Sequence, residues 1–262
     1  MAPPESVLTL SVRDLAVHFG GVAALAGVSF EVHPGTITSV IGPNGAGKTT
    51  AFNAITGYLS PTRGRIEYDG VRLTGLRPSA VAARGIVRTF QRTSVFPSLS
   101  VVDNVMIGLH LRGAAGFLDV ILGRRRLAAE EARLARDADG IIEFVGLGHR
   151  KRERASELPY GEQRLVELAV ALGARPRLLL LDEPGAGMTT AEKTTVSDLV
   201  RRIREQSTTV LLVEHDMRMV MAISDTVIVL NHGRVIAQGT PAAIQAHPDV
   251  IRAYLGSSGD RA

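Results

Sequence analysis

Apolar positions fall into two kinds of pattern along this chain. From Leu8 to about Ile41, β-prone stretches (LTLSV, VSFEV, TITSVI) alternate with turn residues such as Gly20-Gly21 and Pro34-Gly35, which predicts strands. The last of them, Ile37 to Ile41, runs into a Gly-rich loop, and the positions after it, Lys48 to Ile55, have helical spacing. From about Arg92 to Leu172 the spacing is helical and rich in Arg and Glu, as in RRRLAAEEARLARDADGIIEFVGL. This predicts a helical subdomain inserted into an α/β core. Beyond it lie short, nearly all-apolar runs at Leu178 to Leu181, Val210 to Val213 and Val227 to Leu230, separated by helical stretches. Such runs indicate strands covered on both faces, hence a mostly parallel sheet. GRVIAQGTP predicts a hairpin arm before a closing helix. The expected fold class is therefore α/β, with an N-terminal antiparallel β subdomain. The core is expected to comprise residues 1–91 and 176–262, and the helical subdomain residues 92–175.

Composition narrows the chemistry. Every apolar run is interrupted by charge or Gly well short of the ~18 residues a membrane-spanning helix needs. The N-terminus, MAPPESVLTL, lacks the basic start and apolar stretch of a secretory signal, so a cytoplasmic location is expected. With no Cys among 262 residues, disulfides, thiolate metal sites and thiol catalysis are excluded. The net charge of +4 comes from 30 basic side chains, all but three of them Arg, and reads mainly as a solvated surface.

Gly42-Pro43-Asn44-Gly45-Ala46-Gly47-Lys48-Thr49-Thr50 changes the picture. Its glycines let backbone N–H groups wrap a β-phosphate at a helix N-terminus. Lys48 is expected on the β/γ oxygens and Thr49 on Mg²⁺. A strand before and a helix after make this the core of a P-loop NTPase. A second apolar run, Leu178 to Leu181, ends in Asp182-Glu183, at the carboxyl edge where α/β sheets bind ligands. Asp182 is the expected holder of the Mg²⁺ shell, and Glu183 the group that polarises the attacking water.

With these two motifs in this order, the chain resembles ABC-transporter ATP-binding subunits over nearly its whole length. The resemblance implies roles for further residues. Phe19, before Gly20-Gly21, corresponds to an aromatic that stacks on adenine. Gln91, in VRTFQR, corresponds to a Gln that senses Mg²⁺ and the lytic water. His215, in LLVEHDM, corresponds to a switch histidine at the γ-phosphate. Leu158-Pro159-Tyr160-Gly161-Glu162-Gln163 occupies the place of the signature loop, which reaches the γ-phosphate held by the opposite subunit of a dimer. Tyr160, Gly161 and Glu162 are thus expected at the nucleotide. Here Pro159 replaces the usual serine, Tyr160 a glycine and Glu162 a glutamine, leaving a contact that is mostly backbone in character. Thr189 stands where the family usually has Asp or Asn. Both departures bear on whether two composite ATP sites are equally active.

FGGVAAL, VRTFQRTSVFPSLSVVDNV, VEHDMRMVMAISD and HPDVIRAYLG are similar to the ATP-binding subunits of bacterial branched-chain amino-acid uptake systems. That likeness implies ATP and Mg²⁺ as ligands. It implies a head-to-tail dimer with a related ATP-binding subunit or with itself, two permeases, an external binding protein, and a peripheral place on the cytoplasmic face of the inner membrane. Thr93, Val95, Phe96 and Pro97 are where a permease helix is expected to dock, and Arg124-Arg125-Arg126 and His149 to Arg154 are basic runs read as solvated helix ends. A motor for lipopolysaccharide-type export is an alternative within the family. A soluble ATPase acting on nucleic acid or ribosomes is another, but such relatives usually carry two cassettes, a long coiled coil or zinc cysteines. No nucleic-acid partner is therefore expected.

Overall fold

The computed structural model describes residues 10–89, 95–110 and 124–256, with the side chains of 124–130, 255 and 256 left aside. Leu8, Gln91, Thr93 and the side chains of Arg124 to Arg126 therefore lie outside the described residues. Two compact units emerge, one ending at Arg88 and resuming at Arg177, the other running from Thr89 to Pro176.

The first unit holds two sheets. Strands β1 (Leu10–Phe19), β2 (Val22–Val32), β4 (Arg63–Tyr68) and β5 (Val71–Arg72) form an antiparallel sheet in the order β2-β1-β4-β5. The other strands are β3 (Ile37–Ile41), β6 (Ile86–Arg88), β7 (Leu178–Asp182), β8 (Thr209–Val213), β9 (Thr226–Asn231) and β10 (Arg234–Gly239), ordered β10-β9-β3-β8-β7-β6. All neighbours in this second sheet are parallel except β10, which pairs antiparallel with β9 as the hairpin arm. Every residue of β3, β7 and β8 is buried, as continuous apolar runs in a parallel sheet should be. Helices α1 (Lys48–Ile55), α2 (Pro78–Ala82), α6 (Thr190–Glu205), α7 (Met217–Ile223), α8 (Pro241–Gln245) and α9 (Pro248–Gly256) complete the unit. One core joins Phe52 and Ile55 of α1 to Leu178, Leu180, Leu211 and Val213 of the sheet and to Leu15 and Val17 of β1. The phosphate-loop helix is thereby clamped between the two sheets. The expected α/β class with an antiparallel subdomain holds.

The second unit is helical: α3 (Val101–His110), α4 (Arg124–Phe144), α5 (Tyr160–Gly173) and two short 3₁₀ turns. α3 and α5 approach so closely that a Cβ on Gly108 would stand 2.2 Å from the Val170 carbonyl oxygen, so only Gly serves there. Buried Asn104 on α3 accepts from the Phe96 N–H at 2.7 Å and donates to the Ser100 carbonyl at 2.9 Å, pinning the turn that enters the helix. Beside it Val95 is buried while Phe96 is half exposed.

Candidate nucleotide site

β3 delivers the chain into the Gly-rich loop, and α1 leaves it at Lys48. Gly42 and Gly47 have φ of 151° and 103°, and a Cβ on either would come within 2.1 Å of the Leu230 carbonyl oxygen or 2.7 Å of that of Ala24. Glycine is therefore obligatory at both. The Ala46 carbonyl accepts from Gly233 N–H at 3.0 Å, tying the loop to the β9–β10 turn. Among the described residues no side chain caps α1 and no acid stands in its first turn, so no side chain competes for its leading N–H groups, the kind of helix start that suits an anion. Asn44, Gly45 and Thr49 are exposed, Pro43 and Thr50 partly so, and Ala46 is buried. At the far side of the loop, burial pushes the Tyr254 phenol of α9 up to about 12, against the opposing pull of the Gly42 backbone.

Lys48 is buried, and its ammonium donates to the carbonyls of Gly42 at 2.6 Å and Pro43 at 3.0 Å. Burial lowers its pKa, opposed by the carboxylates of Glu183 and Asp182. The loop lysine and the two acids at the end of β7 thus share one electrostatic neighbourhood. Asp182 is 2% exposed; its Oδ2 accepts from Arg88 Nη2 at 2.7 Å, while Oδ1 is buried without a hydrogen-bond partner among the described residues.

Glu183 holds a left-handed backbone, φ 50°, fixed by its N–H donating to the Val213 carbonyl at 2.9 Å. Such a conformation costs about 1 kcal/mol or more in a non-glycine residue. It turns Glu183 off the sheet axis, so that Oε2 lies 3.8 Å from Nδ1 of His215, itself 58% exposed at the end of β8. The residue before His215, fully buried Glu214, has a carboxylate that accepts from the N–H groups of Gly185 at 2.8 Å, His215 at 3.0 Å and Asp216 at 3.2 Å. One buried charge therefore shapes both the loop after β7 and the loop after β8. Phe19, 53% exposed, pairs across the β1–β2 hairpin tip with exposed Val22.

Sequence reasoning named neither Arg88 nor Glu214, because the contacts that tie them to the loop after β7, to Asp182 and to Gly185, join residues distant in the chain. The Thr189 departure proves to be a helix cap: its hydroxyl accepts from Glu192 N–H at 3.3 Å, and the Glu192 carboxylate takes the Thr189 N–H at 2.8 Å. This capping box serves as Asp or Asn would at an N-cap.

In the helical unit, Pro159 precedes α5 and offers it no side-chain cap. Tyr160 is 44% exposed, its hydroxyl accepting from Arg164 Nε at 3.0 Å and Nη2 at 2.8 Å, and Arg164 in turn pairs with Glu167 at 2.7 Å. The guanidinium also lies 5.2 Å from the tyrosine ring centroid. Tyr160 is thus a braced side chain. Gly161 is buried in the first turn, and the Glu162 carboxylate is engaged by Arg150 at 3.2 Å.

Residues 25–186 match the family model described as ABC transporter, and residues 234–260, from β10 through α9, match one described as branched-chain amino acid ATP-binding cassette transporter. The chain is 41% identical over 250 residues to the high-affinity branched-chain amino acid transport ATP-binding protein BraF of Pseudomonas aeruginosa, covering 95% of this chain and 98% of that one. It is 40% identical over the same shares to LivG of Escherichia coli K12, which has the same descriptive name. Among solved structures, a nucleotide-free ATP-binding cassette from an ABC transporter superposes with a TM-score of 0.82 at 31% identity, covering 94% of this chain and 98% of that one. Another cassette of an ABC transporter, in its ADP conformation, gives 0.83 at 30% identity, covering 95% and 99%. With a family model spanning more than half its length and relatives of this identity over nearly all of it, the chain belongs to the ABC transporter family, as an ATP-binding cassette.

Proposed function

We propose that this chain is the ATP-hydrolysing motor of an ABC importer for branched-chain or related amino acids. The observation that carries the chemistry is the cluster in which Lys48, Asp182 and Glu183 lie within one electrostatic field, with His215 3.8 Å from Glu183. The phosphate loop would cradle the β- and γ-phosphates with backbone N–H groups and Lys48, and Phe19 would stack on adenine. Glu183 takes a proton from the attacking water, and His215 stabilises charge developing on the γ-phosphate.

The residues present suit a magnesium ion. Asp182 offers a buried oxygen with no other partner among the described residues, and Thr49 an exposed hydroxyl at the head of α1. Oxygen ligands in small number are what Mg²⁺ takes beside phosphates. Thr49 and Asp182, joined by Gln91, would hold it, and it would supply neutralisation of phosphate charge.

Two such subunits, this chain with a relative or with itself, would enclose ATP between each phosphate loop and the opposite Tyr160–Glu162 loop. Two permeases and an external binding protein complete the system. No helix among the described residues is long and apolar enough to cross a membrane, which fits a peripheral subunit carried by its permeases. The names of BraF and LivG, and the family model matched at residues 234–260, support the cargo.

The test is purification of the tagged chain from its native membranes in mild detergent, with identification of what accompanies it. A related ATPase and two permeases are expected, together with loss of leucine, isoleucine and valine uptake when the gene is deleted. Ribosomes or nucleic acid without membrane subunits would overturn the transporter reading. At the adenine end, Phe19→Ala should weaken ATP binding by roughly 5- to 150-fold, the worth of one stacked base, while Phe19→Trp keeps it. Because Phe19 is exposed at a hairpin tip, the melting temperature should stay put in both variants, and ATP titration reads the difference.

A further inference from the structure

Arg88 ends β6, and its guanidinium is 6% exposed, surrounded by groups from two other elements. Nη2 donates to Asp182 Oδ2 at 2.7 Å, at the end of β7. Nη1 donates to Asn53 Oδ1 at 2.7 Å, and stands 3.4 Å from the Thr56 hydroxyl, both on the α1 side. Its Cζ lies 5.5 Å from the centroid of the buried Phe52 ring. One side chain therefore spans from the helix that grows out of the phosphate loop to the strand that presents the acidic pair.

We propose that Arg88 is the positioning residue of the cation-holding carboxylate: it fixes Asp182 through Oδ2 and registers that strand against α1, leaving Oδ1 as the oxygen available to the nucleotide's divalent cation. The inference rests on the reading of Asp182 given under Proposed function. Three observations carry it. A carboxylate on a free torsion presents either oxygen, whereas one bonded at 2.7 Å to a planar, packed guanidinium presents one. The large majority of buried side-chain oxygens are hydrogen-bonded; here Oδ1 is buried and lacks a hydrogen-bond partner among the described residues. Finally, Arg88 touches α1 through Asn53, five residues after Lys48 in the chain, so displacement of either element is felt by the other. A lysine there would keep the charge but lose the fork that reaches Asp182 and Asn53 together.

The experiment compares ATP affinity with Mg²⁺ and with EDTA, by calorimetry, for the purified full chain and its R88M, R88K and D182N variants, and adds Mn²⁺ binding with ADP followed by electron paramagnetic resonance. Outer partners of metal ligands typically contribute about 10- to 100-fold to metal affinity. In R88M the affinity gained from Mg²⁺ should therefore shrink by about tenfold or more and Mn²⁺ binding weaken in parallel, with metal-free ATP affinity within about twofold of the parent. R88K should fall between. If D182N loses the Mg²⁺ gain while R88M retains it, Arg88 has no positioning role and the reading of Asp182 stands. If D182N retains the gain, the reading of Asp182 fails and takes this proposal with it. Should R88M not fold, R88K decides: a Mg²⁺ gain reduced about threefold or more supports the proposal, and an unchanged gain overturns it.

Discussion

Glu183→Gln should lose most ATP turnover, by about 10²- to 10⁴-fold, while binding ATP as the parent does and accumulating as a persistent closed dimer. The substitution is nearly isosteric and keeps the main-chain bond from Glu183 N–H to Val213 that holds its left-handed turn. What it removes is a proton acceptor beside His215, 3.8 Å away. Binding is spared because the phosphate loop and Lys48 are untouched. Closure is spared for the same reason, and reopening, which needs removal of the bridging γ-phosphate, is not. Phosphate release and gel filtration with ATP read the two halves separately. Normal phosphate release would remove Glu183 from the role of base, and loss of ATP binding would show that the substitution had disturbed the loop.

His215 sets a limit on that expectation. It is well exposed and its ring meets Glu183 only at long range, so on the proposed roles a histidine substitution should remove charge stabilisation but leave the base in place. Its backbone, by contrast, is tightly held, since Glu214 accepts from the N–H of His215 and of Gly185 together. A Cβ on Gly185 would come 2.9 Å from the Glu214 carboxylate, so the loop following Glu183 is shaped around that buried charge. The exposed His215 side chain thus stands on a main chain that is hydrogen-bonded in place.

Much of this site was legible beforehand because its parts are local. The strand, Gly-rich loop and helix of residues 37–55 are contiguous, and their chemistry follows from spacing alone. The same holds for Asp182 and Glu183 after four leucines, whereas the role expected of His215, after the apolar run Val210 to Val213, comes from the family resemblance. β6 escaped notice because three residues, Ile86 to Arg88, carry no periodicity, and a strand that short is defined by its partner β7. Arg88 and Glu214 escaped for a related reason, since their partners stand 94 and 29 residues away in sequence. Thr189 was open to a better reading: Thr189-x-x-Glu192 is a capping box in plain sequence, overshadowed by comparison with the residue usual at that place. Glu162 shows the opposite limit, because nothing in its own helix announces that Arg150 engages it, whereas Tyr160 and Arg164 are an i,i+4 pair on one helix that spacing could have announced.

Lys48→Ala should abolish tight nucleotide binding, in contrast to the Gln variant at 183. In this structure the ammonium is satisfied by the loop's own carbonyls, at 2.6 Å from Gly42 and 3.0 Å from Pro43, and is held in place by two carboxylates whose charge opposes the cost of burying it. Phosphate oxygens replace neutral carbonyl acceptors with charged ones, and a hydrogen bond to a charged group is worth about 1.5–3 kcal/mol, or roughly 10- to 150-fold in affinity. Alanine forfeits that contribution and also removes the ammonium that offsets the charge of Glu183, while Asp182 keeps Arg88, so carboxylate repulsion on the incoming triphosphate grows. The loss should therefore reach the upper end of that range. Lys48→Arg should not restore binding, since a planar fork cannot enter a buried site shaped for a compact ammonium. ATP titration with a parallel thermal melt separates lost affinity from lost fold. Undiminished ATP binding in a folded Lys48→Ala variant would contradict the assignment of the loop, and a variant that binds ADP normally but ATP poorly would place Lys48 on the γ-phosphate alone.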